Sequence, residues 1–275
     1  MTTAGITMVR DEADIIEHTL WHMATQVDFL YVSDNRSVDG TSDILEDLRR
    51  KLPVPLTIQR DETVAYEQSK KMTALAQWAT FETRCDWIVP FDADEIWYSQ
   101  NGSISRFLDG FHNMHIVEAS LFDHVATSLD QPTDTNPVSR MMWRRGFAAP
   151  LPKVAVRSHS SLRIGMGNHD ASYKVEARTS GHRLAIRHFP YRSPEQVVQK
   201  IRNGAEAYKA SELPKHYGAH WRGWGRILDE QGEQAIVDLF HKWHWRQDPQ
   251  VHIDIDGDYS PPLRFDPACD VTSIC

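Results

Sequence analysis

The chain has 275 residues, of which 41% are hydrophobic and 25% are charged, a composition that suits one large globular domain or two small ones. Its formal net charge of -8 argues against a general nucleic-acid binder, because such proteins present a basic surface to phosphates. No apolar run approaches the roughly 20 residues that span a bilayer, and the N-terminal residues lack the basic and apolar segments of a signal peptide.

The first hundred residues alternate between predicted strands and helices. Apolar runs predict strands at 6–9, 29–32, 56–58 and 87–91, and helical spacing predicts helices at about 15–23, 41–48 and 68–81. This order predicts an α/β fold with a mainly parallel sheet flanked by helices. Ligands bind such sheets at the carboxyl ends of strands. Residues 10–12, 33–34 and 92–94 are therefore expected on one rim.

The remainder of the chain has a different pattern. Ser103 can cap a short helix to residue 108, and short strands are predicted at 115–122, 140–145, 153–157, 162–164, 173–177 and 184–187. Ser193, Pro194 and Gln196 form a strong helix start, which predicts a helix to about residue 210, followed by another at about 227–245. The expected architecture is a β-rich second half followed by C-terminal helices.

An acidic cluster closes the fourth predicted strand. Asp92 and Asp94 lie two residues apart directly after an apolar run, so in an extended segment both carboxylates face the same side. Hard oxygen ligands of this kind suit Mg²⁺ or Mn²⁺, although an acidic surface turn has the same sequence. Glu95 would point to the other side, either supporting the metal ligands or facing solvent.

Other features allow two interpretations each. Asp34 at the end of the second strand either accepts hydrogen bonds from a nucleotide or forms an Asx turn. Residues 140–192 contain eleven Lys or Arg and two acids, which indicates either an anion-binding surface or solvated strand faces. The tryptophans of the second half either stack on sugar rings or pack in the core. These are Trp143, Trp221, Trp224, Trp243 and Trp245.

Four segments resemble signatures of the family 2-type glycosyltransferases with the GT-A fold. They are MVRDEAD at 8–14, YVSDNRSVDGT at 31–41, FDADE at 91–95, and HFPYRS at 188–193 followed by Gln196 and Lys200. The last segment resembles the C-terminal signature of a subgroup of that family. The resemblance covers roughly residues 5–210 and implies the Rossmann-like GT-A sheet.

The resemblance implies roles for individual residues. Asp34 would read the nucleotide base, usually uracil, and the region of Lys70 would supply a basic group near the nucleotide. Asp92 and Asp94 would bind the metal that bridges the two phosphates, and His188 matches a later histidine ligand. The expected nucleotide-binding set is Arg10, Glu12, Asp34, Lys70 and Asp92, and the expected metal ligands are Asp92, Asp94 and His188.

The general base is the least defined role. Inverting members of the family use a carboxylate downstream of the metal pair, often in a Glu-Asp dipeptide, and residues 96–228 contain no such dipeptide. His169 and Asp170 are the preferred candidates, because Gly165 and Gly167 would let the backbone approach a ligand. Asp123 is the alternative. A base must reach the acceptor hydroxyl, so geometry decides before pKa.

The resemblance implies an inverting, Mn²⁺- or Mg²⁺-dependent glycosyltransferase that takes a nucleotide-diphosphate sugar, with a UDP-sugar as the expected donor. The hydroxyl acceptor is open among a glycan, a lipid-linked sugar, a peptide and a secondary metabolite. Residues 1–100 would bind the nucleotide sugar, 101–192 the acceptor, and 193–275 would form helices and a tail. No nucleic-acid partner is expected.

The same residues bear on three alternative functions and on the cellular setting. A sugar nucleotidyltransferase would need a glycine-rich basic loop after the first strand, and a phosphohydrolase of the haloacid dehalogenase type would carry its Asp pair on that strand. A non-catalytic carbohydrate-binding or scaffold protein is the third alternative. Three cysteines without metal-ligand spacing make no disulfide framework and favour the cytoplasm, with a peripheral membrane location left open.

Overall fold

The computed structural model describes residues 1–100, 102–174, 178–251 and 260–266, with the backbone alone for 178–183. The strands are β1 (Thr3–Val9), β2 (Phe29–Asp34), β3 (Leu56–Arg60), β4 (Trp87–Pro90), β5 (Glu95–Ser99), β6 (Ile116–Val125), β7 (Trp143–Arg144), β8 (Lys153–Arg157), β9 (Arg163–Ile164), β10 (Ala171–Ser172), β11 (Arg178–His188) and β12 (Leu263–Arg264). The α-helices are α1 (Ile16–Met23), α2 (Thr41–Lys51), α3 (Gln68–Thr83), α4 (Ile104–Leu108), α5 (Pro137–Arg140), α6 (Pro194–Ala210), α7 (Ala219–Gln231) and α8 (Glu233–Trp245).

The N-terminal half forms the predicted parallel sheet. β1 pairs in parallel with β2 and β4, and β2 pairs in parallel with β3. Apolar side chains on both faces of β1 and β4 are buried, as parallel strands between helices require. Met72 and Leu75 of α3 pack on one face with Ile6, whereas α1 and α2 pack on the other. The α/β expectation is confirmed.

The second half extends this sheet with antiparallel strands. β8 pairs antiparallel with β4, and β6 pairs antiparallel with β8. β11 then runs parallel to β6 and antiparallel to β5. The sheet as a whole is therefore mixed, and the long run of parallel neighbours is confined to β3-β2-β1-β4.

This topology brings many chain segments to one side of the sheet. The carboxyl ends of β1, β2, β4, β6 and β11 lie at the same edge as the amino ends of β5 and β8. We call this the site edge. The register pairs Val9 with Asp34 and Ile6 with Pro90, so the predicted common rim of residues 10–12, 33–34 and 92–94 is confirmed.

The C-terminal helices differ from their prediction in two respects. The helix expected at 227–245 begins earlier, at Ala219, and is two helices, α7 and α8, separated by Gly232 at φ 82°. This left-handed backbone is accessible to glycine and ends the first helix. α6 begins as predicted, with Ser193 Oγ accepting a hydrogen bond from Gln196 N at 3.2 Å. The three helices share a core around Val197, Ile201 and Phe240.

Three smaller predictions also change. The strand expected at 140–145 shortens to β7, because Asn136 caps the short helix α5, with Pro137 in its first turn. A strand is expected at 173–177. Residues 173–174 form no strand, and residues 175–177 lie outside the described residues. β5 was not predicted.

Over the described ranges, no helix combines the length and the apolar character that crossing a bilayer requires.

Candidate active site

Asp92 lies in the turn between β4 and β5. Its Oδ2 accepts a hydrogen bond from Lys153 Nζ at 2.6 Å, and its Oδ1 accepts from Asn168 Nδ2 at 3.0 Å and Gln68 Nε2 at 3.4 Å. The backbone here is a turn rather than the expected extension, with Glu95 N–H donating to Asp92 O at 3.1 Å. Asp92 and Asp94 nevertheless line one cavity.

Asp94 is a buried carboxylate surrounded by basic groups. Lys200 Nζ lies 2.5 Å from its Oδ2, and His188 Nε2 and Arg192 Nη1 each lie 3.7 Å from the same atom. Burial raises the pKa of Asp94, but Lys200, His188 and Arg192 outweigh it, so the pKa lies well below its usual range. Asp94 is therefore ionised at neutral pH.

Glu95 is neither exposed nor a cavity wall. It is fully buried, and its Oε1 lies 2.7 Å from Lys153 Nζ, while its Oε2 accepts from Trp97 Nε1 at 3.1 Å. Lys153 is thus held between Glu95 and Asp92. Burial alone would lower the pKa of Lys153, but the two carboxylates raise it above its usual value. Glu95 therefore fixes the cation that positions Asp92, and the alternative of a solvated Glu95 is wrong.

Arg192 connects the loop after β11 to the loop after β1. Its side chain is fully buried, and its Nε and Nη2 donate to the two carboxylate oxygens of Asp14, each at 2.7 Å. Nη2 also donates to Glu12 Oε2 at 2.5 Å, and Nη1 donates to Phe189 O at 2.9 Å. This bidentate geometry explains why the position holds arginine rather than lysine.

His188 ends β11 and faces two carboxylates. Its Nδ1 donates to Asp123 Oδ1 at 2.7 Å, since an ionised carboxylate can only accept. Its Nε2 lies 3.7 Å from Asp94 Oδ2. Burial lowers the pKa of His188, but Asp94 and Asp123 raise it overall above its ordinary value.

A cavity of about 330 Å³ lies against these groups at the site edge. Its walls come from the ends of β1, β2 and β4, from the start of α3, and from α6. Of the sequence-predicted site residues, the cavity brings together Arg10, Glu12, Asp92, Asp94 and His188; it also includes Asn35, Tyr66, Gln68, Lys200 and Asn203.

Two predicted nucleotide-binding residues lie elsewhere. Asp34 is buried, and its carboxylate accepts hydrogen bonds from Ser37 N at 3.1 Å and from Ser42 Oγ, so it forms the turn that was the alternative interpretation. Its neighbour Asn35 reaches the cavity instead. Lys70 is 79% exposed and pairs with Glu67 at 3.4 Å, lining a separate surface cavity of about 870 Å³.

The preferred base candidates also lie away from the cavity walls. His169 Nδ1 lies 2.9 Å from Pro152 O, and Asp170 Oδ1 accepts a hydrogen bond from Ala171 N at 2.8 Å. The same loop does reach the site through Asn168, which is fully buried with φ 57° and bonds Asp92. Asp123, the alternative candidate, contacts His188 directly.

Lys153 belongs to the basic segment 140–192 and Lys200 to the C-terminal signature, but sequence reasoning linked neither of them, nor Asn168, to Asp92 or Asp94. Lys153 begins a predicted strand directly before an apolar run, which is a signal for a strand-end residue. Lys200 lies in the helix that begins at Ser193, seven residues on, and only the fold shows that this helix crosses the site edge. Nothing in the sequence around Asn168 indicates that its amide reaches Asp92.

The oxygen and nitrogen atoms of this site are of the kinds that bind a divalent cation. Asp92 and Asp94 offer oxygen ligands at one cavity, and the Asp123 bond to His188 Nδ1 turns Nε2 towards Asp94, as in carboxylate–histidine–metal arrangements. Within the described ranges, no three His, Cys, Asp or Glu side chains already converge as a metal-binding group. The two carboxylates instead hold the ammonium groups of Lys153 and Lys200.

Comparison with known proteins finds no family model and no curated protein that matches this chain. Among solved structures, the chain is similar to crystal structures of S. aureus TarS 1–349. The complex with UDP has a TM-score of 0.42 and 14% identity, covering 90% of this chain and 78% of that chain. The complex with UDP-GlcNAc has a TM-score of 0.43 and 15% identity, covering 90% and 79%. Likeness at this level concerns the course of the backbone and carries no conclusion about activity.

Proposed function

We propose that the protein is a glycosyltransferase that moves a sugar from a UDP-sugar to a hydroxyl acceptor. The observation that carries the proposal is the pairing of Asp92 and Asp94 with Lys153, Lys200 and His188 beside one cavity at the site edge. Ligands of α/β sheets bind at this edge. A departing diphosphate needs positive charge beside it, which Lys200, and a cation held by the two carboxylates, would supply.

The order of strands along the site edge suggests how the donor lies. Asn35 and Val9 line the cavity at the ends of β2 and β1, and Asp92 and Asp94 line it at the end of β4. The nucleoside is proposed to lie towards β1 and β2, with its diphosphate towards β4. Lys200, whose side chain is partly exposed and lines the cavity, would then stabilise the charge that develops on the departing diphosphate.

The proposed metal ligands are Asp92, Asp94 and His188, and the ion is Mn²⁺ or Mg²⁺. When bound, such an ion supplies positive charge that neutralises the leaving diphosphate. The chain's own contribution is to hold the ligands, through Lys153 at Asp92 and through Asp123 at His188.

The acceptor hydroxyl must lose its proton to a nearby base during displacement at the anomeric carbon. The sequence favours His169 and Asp170. In the structure His169 Nδ1 lies 2.9 Å from Pro152 O, and Asp170 Oδ1 accepts a hydrogen bond from Ala171 N at 2.8 Å. Asp123 is the better-placed carboxylate, because its Oδ1 is bonded to His188 at the site. Burial raises its pKa, but His188 and Arg145 lower it overall, so Asp123 is ionised and able to accept a proton. Attack opposite the diphosphate would invert the anomeric centre.

The test is to incubate the protein with UDP-sugars and Mn²⁺ and to measure UDP release with and without EDTA. We expect EDTA to abolish release, and Asp92→Asn and Asp94→Asn each to abolish it with the fold intact by circular dichroism. Asp43→Asn on α2, outside the cavity, is the matched control. UDP release that survives EDTA would contradict the metal role.

The same assay separates the rival functions. Release of inorganic phosphate in place of UDP would indicate a phosphohydrolase, and release of pyrophosphate from a nucleoside triphosphate and a sugar phosphate would indicate a nucleotidyltransferase. Binding of UDP by calorimetry without any turnover would indicate a non-catalytic protein. Absence of both UDP binding and turnover would refute the proposed donor site.

A further inference from the structure

A third cavity, of about 460 Å³, lies at the end of β6 against α7 and α8. Three aromatic side chains, Tyr191, Trp224 and Trp243, form much of its wall, and Asp123 and Arg145 provide charged groups. We call it the aromatic cavity. None of its tryptophans has a role in the donor site described above.

The aromatic cavity adjoins the cavity of about 330 Å³ at the site edge, which we call the donor cavity. Pro190 and Tyr191 line both cavities. Asp123 lines the aromatic cavity and bonds His188, which lines the donor cavity. A molecule bound in the aromatic cavity beside Asp123 would therefore lie close to His188 and to the donor cavity.

The aromatic rings pack into one continuous wall. The ring centroids of Tyr191 and Trp243 lie 5.1 Å apart, and those of Trp224 and Trp243 lie 5.3 Å apart, both pairs tilted. The side chains are only partly buried although they pack against the core of the C-terminal helices. Rings fixed by such packing present apolar surface at little entropic cost.

The polar groups of the cavity are few and specific. Arg145 Nε lies 3.8 Å from Asp123 Oδ2, and the Arg145 side chain is 43% exposed. His244 is neutral at pH 7, because burial lowers its pKa to about 4. An apolar wall with a few hydrogen-bonding groups suits a ligand that has both a flat apolar face and hydroxyls. A sugar ring has this combination, whereas an acyl chain would offer no hydrogen bonds to Asp123 and Arg145.

We propose that the aromatic cavity binds the acceptor and that the acceptor is a carbohydrate. This inference rests on the proposed function, since it assigns the second substrate of the same reaction. It places the acceptor against α7 and α8 and the loop after β11, rather than within residues 101–192 alone. The acceptor hydroxyl would enter between Tyr191 and Asp123.

The test uses three defined probes, chitotriose, cellotriose and maltotriose, titrated without donor while tryptophan fluorescence is recorded. We expect a saturable change with at least one probe. Trp243→Ala and Arg145→Ala should each weaken that binding about tenfold or more. Trp245→Ala is the matched control, because Trp245 is on the same helix, 61% exposed and outside the cavity wall. Its affinity should stay at the wild-type value.

UDP affinity by calorimetry is measured for every variant, which separates this inference from the proposed function. Unchanged UDP binding in Arg145→Ala with weakened saccharide binding supports the aromatic cavity. No saturable response to any probe in the wild type, or equal saccharide affinity in Arg145→Ala and wild type, overturns it while leaving the donor site standing. Saccharide binding without UDP binding would instead refute the proposed function.

Discussion

His188 Nδ1 lies 2.7 Å from Asp123 Oδ1, joining the last residue of β11 to β6 at the site edge. The two residues are also register partners in the parallel pair of strands. The backbone ladder therefore fixes the separation of the two side chains, and the imidazole is oriented without any bound ligand. Nε2 is left facing Asp94.

This pairing predicts a raised pKa for His188. Asp94 and Asp123 outweigh burial, so the ring should stay protonated above pH 6.5, and Asp123→Asn should lower its pKa. Because the folded-state pKa exceeds the unfolded value, the stabilisation is complete below about pH 6.5 and is lost as pH rises through the folded-state pKa. NMR titration of the imidazole signals measures the His188 pKa in the wild type and in Asp123→Asn. An unchanged His188 pKa in Asp123→Asn would refute the pairing.

Asp123 and the sequence candidates for the base make opposite predictions. Asp123→Asn should lower transfer to the acceptor by roughly 10²–10⁴-fold, the usual contribution of a general base, while UDP binding persists. His169→Gln and Asp170→Asn should retain most activity, because these side chains line neither the donor cavity nor the aromatic cavity, whereas Asp123 lines the aromatic cavity and bonds His188. Steady-state rates at saturating donor provide the comparison. Loss of turnover in Asp170→Asn with activity retained in Asp123→Asn would restore the sequence assignment.

The parallel half of the fold could be predicted from the sequence because its strands are short apolar runs and the first three are each followed by a helix with apolar residues at helical spacing. The expected common rim followed directly from that order. β5 was missed because Glu95 reads as the end of the acidic cluster, although it is the first residue of a strand. The α7–α8 break was missed because apolar spacing continues on both sides of Gly232, and one glycine does not reveal its φ angle.

The candidate site was less predictable than the fold. Local sequence places Asp92 and Asp94, but Lys153 and Lys200 reach them from positions 61 and 106 residues away. Such long-range partners depend on the antiparallel pairing of β8 and on where α6 crosses the site edge. Asp34 shows the opposite situation. The family resemblance implies a ligand role, whereas in the structure its carboxylate accepts hydrogen bonds from Ser37 and Ser42 nearby in the chain.

Lys200 and Lys70 provide a direct test of the donor site. Lys200→Met removes a cation from the cavity wall and leaves Asp94 less compensated near the diphosphate. We expect UDP affinity to fall about tenfold, or about 1.4 kcal/mol. Lys70→Met should leave UDP affinity unchanged, because Lys70 is exposed outside that cavity. Calorimetry measures the UDP affinity of both variants. Weakened UDP binding in Lys70→Met with unchanged binding in Lys200→Met would instead place the nucleotide beside Lys70 on α3.

Arg192 is predicted to be essential to stability as well as to site geometry. Arg192→Met would leave Glu12 and Asp14 without their shared partner, and breaking a buried pair of this kind costs about 3–5 kcal/mol. The lower end is expected because Asp14 is 39% exposed. Arg202→Met, which breaks an exposed pair with Glu233, should cost about 0–1 kcal/mol. Urea unfolding of both variants gives the free energies, and equal losses would contradict this account.

Two glycines of α7 should respond in opposite directions to the same substitution. At Gly225 an added Cβ would lie 2.5 Å from Ala205 Cβ of α6, whereas at Gly223 it would meet nothing within 4 Å. Gly223→Ala should therefore stabilise the protein by about 1 kcal/mol through helix propensity. In Gly225→Ala the overlap should outweigh that gain, because overpacking costs about 1–3 kcal/mol, and it should push α7 away from α6. Urea midpoints for the two variants measure the difference. Stabilisation by both substitutions would show that α6 and α7 do not cross as closely as Gly225 and Ala205 indicate, and the aromatic cavity between α7, α8 and the sheet would then have a different shape.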